Sequence, residues 1–97
     1  MIALLMFAQI ASTAAAMHAQ VARAPGPVRA FIERRAGCNH FAGEEAYDRD
    51  RGRDIERALR ALRCGRLEAD ERVLRARWRQ RPDLLRLLTA TADALGW

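Results

Sequence analysis

Two cysteines, Cys38 and Cys64, stand 26 positions apart in a chain of 97 residues. Whether they are bonded decides what so short a chain can fold into. The length allows one small domain. With an N-terminal leader set aside, about 75–80 residues remain, a size at which one core contributes only a few kcal/mol and a covalent staple commonly supplements it. In an oxidising compartment these two cysteines are the obvious staple, and a disulfide between them is expected.

The compartment is read from the start of the chain. No charged side chain precedes Arg23. Met1 to Ala11 form a mainly apolar stretch, and the small-residue tract Ser12-Thr13-Ala14-Ala15-Ala16 follows. This is the layout of a secretory signal peptide. The expected organisation is a signal peptide over 1–19 with cleavage between 16 and 22, a linker over 20–26, and a helical domain over 27–97. The first basic residue lies after the apolar stretch, against the usual orientation bias, so an uncleaved anchor is the alternative. The stretch is long enough to span a bilayer, but Gln9, Ser12, Thr13, His18 and Gln20 make it a poor permanent span. A periplasmic or secreted protein is expected.

Charge limits the partners. The formal net charge is +5, and all 17 basic residues are arginine. Abundant Ala, Gly and Arg point to GC-rich coding before they point to nucleic acid. The charge supports solubility and attraction to anionic surfaces, and no base-reading motif accompanies it. A cytosolic nucleic-acid binder is the reading only if the leader stays in place.

Helical periodicity runs through the rest of the chain. Val28, Phe31, Ile32, Arg35 and Cys38 share one face of a helix opened by Pro27 and ending at Gly37 or at Gly43. Asp48 is a suitable N-cap for a second helix, which carries Ile55, Ala58, Leu59 and Leu62 inward and stops at Gly65. Its outer face offers Glu56–Arg60 and Asp50–Arg53 pairs. A third helix is expected over 68–80, with Val73, Leu74 and Trp78 inward and Glu68–Arg72 and Glu71–Arg75 pairs outside. Pro82 opens a fourth, which places Leu84, Leu85, Leu88, Ala92 and Leu95 inward and ends at Gly96. There is no period-2 run and few β-branched residues, so no strand is expected. The fold class is all-α: a small single-domain bundle of three to four helices, stapled by one disulfide.

The disulfide constrains the first connection. A first helix reaching Gly43, with the second returning tightly antiparallel from Asp48, would leave Cys64 about 24 Å from Cys38, whereas a disulfide needs Cα atoms within about 7 Å. The expectation is therefore a first helix ending near Gly37, with residues 39–47 extended beside the second.

The segment Cys38-Asn39-His40-Phe41-Ala42-Gly43-Glu44-Glu45, a basic helix ending at Cys64 and an Arg-rich helix pair ending in leucines resemble small exported bacterial proteins of unknown function. The resemblance spans about residues 27–90 and implies export; it implies no catalytic residue.

Three kinds of chemistry are open to these residues. His40, Glu44, Glu45 and Asp48, beside Cys38, are candidate metal ligands, and His40 to Glu44 is an i,i+4 spacing; no recognised ligand motif is present, and an oxidised Cys38 cannot ligate. The plainer roles are His40 bonding a helix end and Glu44 and Glu45 leading into the next helix. With the thiols, the same side chains would make the chain metal- or redox-responsive. Catalysis is not expected: beyond Ser12 the chain has no serine, and its hydroxyls there are Thr13, Thr89, Thr91 and Tyr47, which leaves no activated nucleophile to nominate. Arg72, Arg75, Arg77, Arg79 and Arg81, interleaved with Trp78, form a candidate surface for an anionic partner, since cations beside an aromatic can grip phosphates and stack on rings. No cofactor is expected. The function expected is binding, by an interaction module whose partner is an envelope protein or an anionic envelope component.

Overall fold

Pro25 sets the junction between the first two helical stretches. Its φ of −52° and ψ of 146° are extended, so the helical segment at residues 14–23 gives way to α1, Gly26–Ala42. Pro27 sits in the first turn of α1, where its missing N–H would have had no helical partner. The structure is a computed structural model that describes residues 14–93. After α1 come α2 (Arg49–Ala61), a 3-10 turn (Cys64–Arg66), α3 (Leu67–Arg77) and α4 (Pro82–Asp93). Among the described residues there is no strand, and the Cys38–Cys64 disulfide is formed. The fold is all-α: among the described residues the helical segment at 14–23 and the four helices α1–α4 pack around one staple. No described helix is long and apolar enough to cross a membrane.

The spacing of α1 does what its periodicity dictates. Val28, Phe31, Ile32, Arg35 and Cys38 are all buried. The core joins Val28, Phe31 and Ile32 to Leu84, Leu87 and Leu88 of α4 and to Val21 and Ala24 at the N-terminal side. Leu67, Leu74 and Trp78 cover it from α3, and Met17 from the N-terminal segment. The linker expected over 20–26 is accordingly shorter: residues 20–23 are helical, and Val21 and Ala24 are core residues because their face meets α4. Residues 1–13 of the expected signal peptide, which spans 1–19, lie outside the described residues, as do Leu95, Gly96 and Trp97.

α1 does not end near Gly37. It runs on to Ala42 and closes with the Gly43 amide donating to the Asn39 carbonyl at 3.1 Å. Gly37 has a different use: a Cβ there would lie 3.1 Å from Leu62 Cδ1, so its bare backbone admits the end of α2 against the middle of α1. The disulfide is compatible with the long helix because α2 does not pack along α1 from its start. The six linker residues 43–48 reach outward about 20 Å, and the 13 residues of α2 come back by about the same length. The linker lies along the first turns of α2, where Glu44 is bonded bidentately by Arg51 at 2.7–3.0 Å. Ala46 also lies against Gly52. Cys64 thereby returns to Cys38 with a Cα–Cα distance of 5.7 Å.

Asp48 caps α2 as its residue type predicts, its carboxylate accepting the Arg51 amide at 2.8 Å. The stop is not Gly65. The chain reverses at Arg63, whose φ of 53° is left-handed, and Arg34 of α1 secures the reversal. Its guanidinium donates to the carbonyls of Leu62 and Arg63 and pairs with Asp70 at 2.9 Å. These are the orphan carbonyls of a helix end, satisfied by a cation from another helix. On the outer face of α2 the ion pairs are Arg53–Asp50 and Arg57–Asp54, not Glu56–Arg60.

The inner faces of α3 and α4 are rotated from the expected ones. On α3 it is Leu67, Glu71, Leu74 and Trp78 that turn inward, while Val73 is 71% exposed. On α4 it is Leu84, Leu87, Leu88 and Thr91, with Leu85 and Ala92 only half-buried. Both rotations have one cause. Arg35, buried on α1, donates to Glu71 at 3.0 Å, to the Leu88 carbonyl at 2.6 Å and to Thr91 Oγ1 at 2.9 Å. A buried cation draws a carboxylate and a hydroxyl into core positions, since a buried charge must be paired and hydrogen-bonded.

Candidate functional site

The stretch 38–48 does not converge on a ligand. Cys38 is bonded to Cys64, Glu44 holds Arg51 and Asp48 caps α2. His40 and Glu45 are exposed. The His40 imidazole stands edge-on to Phe41, their centroids 5.1 Å apart, and makes no hydrogen bond to a helix end among the described residues. No three of His, Cys, Asp and Glu gather in the described residues to hold a metal ion. The i,i+4 spacing of His40 and Glu44 is lost because α1 ends at Ala42, between them. Donating to the Glu44 carboxylate raises the Arg51 guanidinium above its already high ordinary pKa.

The five arginines expected to form an anionic-partner surface divide in two. Arg75 donates to Glu71 of its own helix at 2.8 Å and reaches across to Thr89 Oγ1 of α4 at 2.9 Å. Arg81 pairs bidentately with Asp83 at 3.0 and 2.9 Å. Those bonds hold the Arg81 guanidinium up and the Asp83 carboxyl below the usual carboxylate range. Glu68 does not pair with Arg72. Among the described residues Arg72, Arg77 and Arg79 have no carboxylate partner: Arg79 donates to the Ala76 carbonyl at 3.0 Å, and Arg77 lies over the Trp78 ring, 5.3 Å from its centroid. Trp78 is half-buried against the core, so it is neither fully inside nor a free stacking platform.

A groove lies between α1 and α3. Pro27, Ala30, Phe31 and Arg34 form one wall at i, i+3, i+4 and i+7; Asp70, Val73, Leu74 and Arg77 form the other at the same spacing, with Arg63 at one end. The Arg34–Asp70 pair closes that end, and Pro27 and Arg77 mark the other, so the walls run antiparallel. The volume is about 440 Å³, within the range of small binding clefts, and the groove is open along its length. Its floor is apolar and its free charges, Arg63 and Arg77, are positive.

The groove was half legible in sequence. Arg77 belonged to the predicted surface; Val73 was placed in the core, and Arg63 was not singled out. The signal for Val73 was the competing stripe Leu67, Leu74 and Trp78, which puts Val73 on the flank of α3 once Leu67 is counted. No family model, no curated protein and no solved structure matches this chain.

Proposed function

We propose that this chain is a small exported interaction module that binds an envelope protein or an anionic envelope component through α3 and the groove beside it. One observation carries the reading: α3 and the turn after it present Arg72, Arg77 and Arg79 without a carboxylate partner among the described residues, next to an exposed Val73, whereas Arg34 and Arg35 of α1 and Arg51, Arg53 and Arg57 of α2 are held in internal ion pairs. Cations left unpaired beside exposed apolar surface favour an external anionic partner over internal stability. The disulfide supports an oxidising compartment, and export with leader cleavage is part of the proposal. The reading includes no catalytic step and no cofactor.

The test is retention of the oxidised protein on a polyanionic matrix across a salt gradient, beside the Arg72→Glu, Arg77→Glu, Arg79→Glu variant. The native chain should bind weakly and elute near physiological ionic strength, where screening is strong within about 8–10 Å, and the variant should flow through. Equal retention of the two would refute the arginine surface. Tight binding to one DNA sequence well above physiological salt would replace it with nucleic-acid recognition.

A further inference from the structure

We infer that the α1–α3 groove seats an acidic amphipathic helix of a partner protein; the inference deepens the binding reading above and rests on it. The walls are two antiparallel helices, each lining the groove with i, i+3, i+4 and i+7 positions over about 10 Å. Ridges spaced in this way accept the side chains of a third helix, as in any helix packed across a pair. An extended peptide would need free backbone donors and acceptors, and the wall backbones are committed to their own helices. Phe31 lies buried beneath the floor and Leu74 half-buried in it, while Pro27 and Ala30 on one wall are exposed and Val73 stands 71% exposed at the lip. That is apolar surface for about two turns of a partner.

Charge selects which helix fits. Asp70, the only acidic residue of the lining, is taken by Arg34 at 2.9 Å. Arg63 and Arg77 therefore stand at opposite ends without a carboxylate partner among the described residues, and both are exposed. A helix with apolar residues on one stripe and Glu or Asp at both ends of that stripe complements the floor and both cations. A second copy of this chain is a poor occupant, because each copy carries a net charge of +5 and like-charged molecules repel.

The probe is a labelled synthetic peptide of about 15 residues, with Leu at i, i+3, i+4 and i+7 and Glu flanking them, titrated into the oxidised full chain by fluorescence anisotropy. Binding in the micromolar range is expected, with a peptide of permuted order and one with Lys for Glu each weaker by roughly tenfold or more. Val73→Glu should weaken the Glu peptide by roughly tenfold and leave the melting temperature unchanged, since Val73 is exposed. Arg63→Glu with Arg77→Glu should turn the preference toward the Lys peptide. Arg72→Glu with Arg79→Glu lies outside the groove lining; it should lower polyanion retention without altering peptide affinity. Equal binding of the permuted peptide, or indifference to Val73→Glu, overturns the inference. So does displacement of the peptide by vesicles of anionic phospholipid that bind more tightly. If the groove variants are silent while Arg72→Glu with Arg79→Glu abolishes polyanion binding, the groove assignment fails and the wider arginine surface stands.

Discussion

Replacing Arg35 by Met removes a cation that is 6% exposed and leaves an apolar side chain of similar length in its place. Three hydrogen bonds go with it, to Glu71, the Leu88 carbonyl and Thr91. Hydrogen bonds from a charged donor contribute about 1.5–3 kcal/mol each, and breaking a buried ion pair costs about 3–5 kcal/mol. The structure moderates that figure. Glu71 keeps Arg75 at 2.8 Å and is itself 26% exposed, and Thr91 still donates to the Leu87 carbonyl at 2.8 Å. The expected loss is therefore about 3 kcal/mol, at the low end of the range. In a domain of this size that corresponds to a fall in melting temperature of roughly 12–24 °C. Urea and thermal unfolding followed by circular dichroism measure it. Glu71→Gln, which keeps the shape and an acceptor oxygen for Arg35 but removes the charge, should cost less, and the double variant should cost less than the sum. A variant within about 0.5 kcal/mol of the native chain, the usual scatter for surface changes, would refute the claim that Arg35 ties α1 to α3 and α4.

Three further outcomes follow from the same packing. Cys64→Ser, or reduction, opens the loop between two cysteines 26 positions apart and should cost about 3–4 kcal/mol in the chain-entropy account; an unchanged melting temperature in reductant would contradict the staple. Trp78→Ala should cost about 2 kcal/mol, below the range for fully buried aromatics, because Trp78 is half-buried; with Trp97 replaced, its emission should be intermediate, and a fully red, readily quenched signal would put it on the surface. Asp83 should titrate by NMR below the ordinary carboxylate value of 3.8, because Arg81 is bonded to it. Its folded pKa is depressed, so its contribution to stability is complete above the unfolded value and is lost as pH falls through the lower folded one. Asp83→Asn should therefore lower stability by a constant amount above about pH 5, and the difference from the native chain should shrink as pH falls through the depressed pKa; an Asp83 that titrates above 3.8 would break the pair.

What could be read from residues alone was whatever followed from apolar spacing and local chemistry. The inward face of α1, the cap at Asp48 and the bond between Cys38 and Cys64 belong to that class. The faces of α3 and α4 do not, and Arg35 is why: Glu71 and Thr91 occupy core positions as its partners, and a polar residue in a core position reads as surface. Counting Val73 instead of Glu71, and Ala92 instead of Thr91, turned each helix away from its true face. The end of α1 was misread for a related reason. Gly37 looks like a stop, yet its value lies in what it omits, a Cβ that would press on Leu62. The groove inherits these errors, since its exposed Val73 is visible only once α3 is turned correctly.

Backbone amide shifts of the isotope-labelled, oxidised chain titrated with the acidic amphipathic peptide test the binding account at residue resolution. The account predicts that the largest changes gather on Ala30, Phe31 and Arg34 of α1 and on Asp70, Val73, Leu74 and Arg77 of α3, with residues 44–51 and the outer side of α2 unmoved. Changes gathered on the 43–48 linker or spread evenly over every exposed arginine would contradict it.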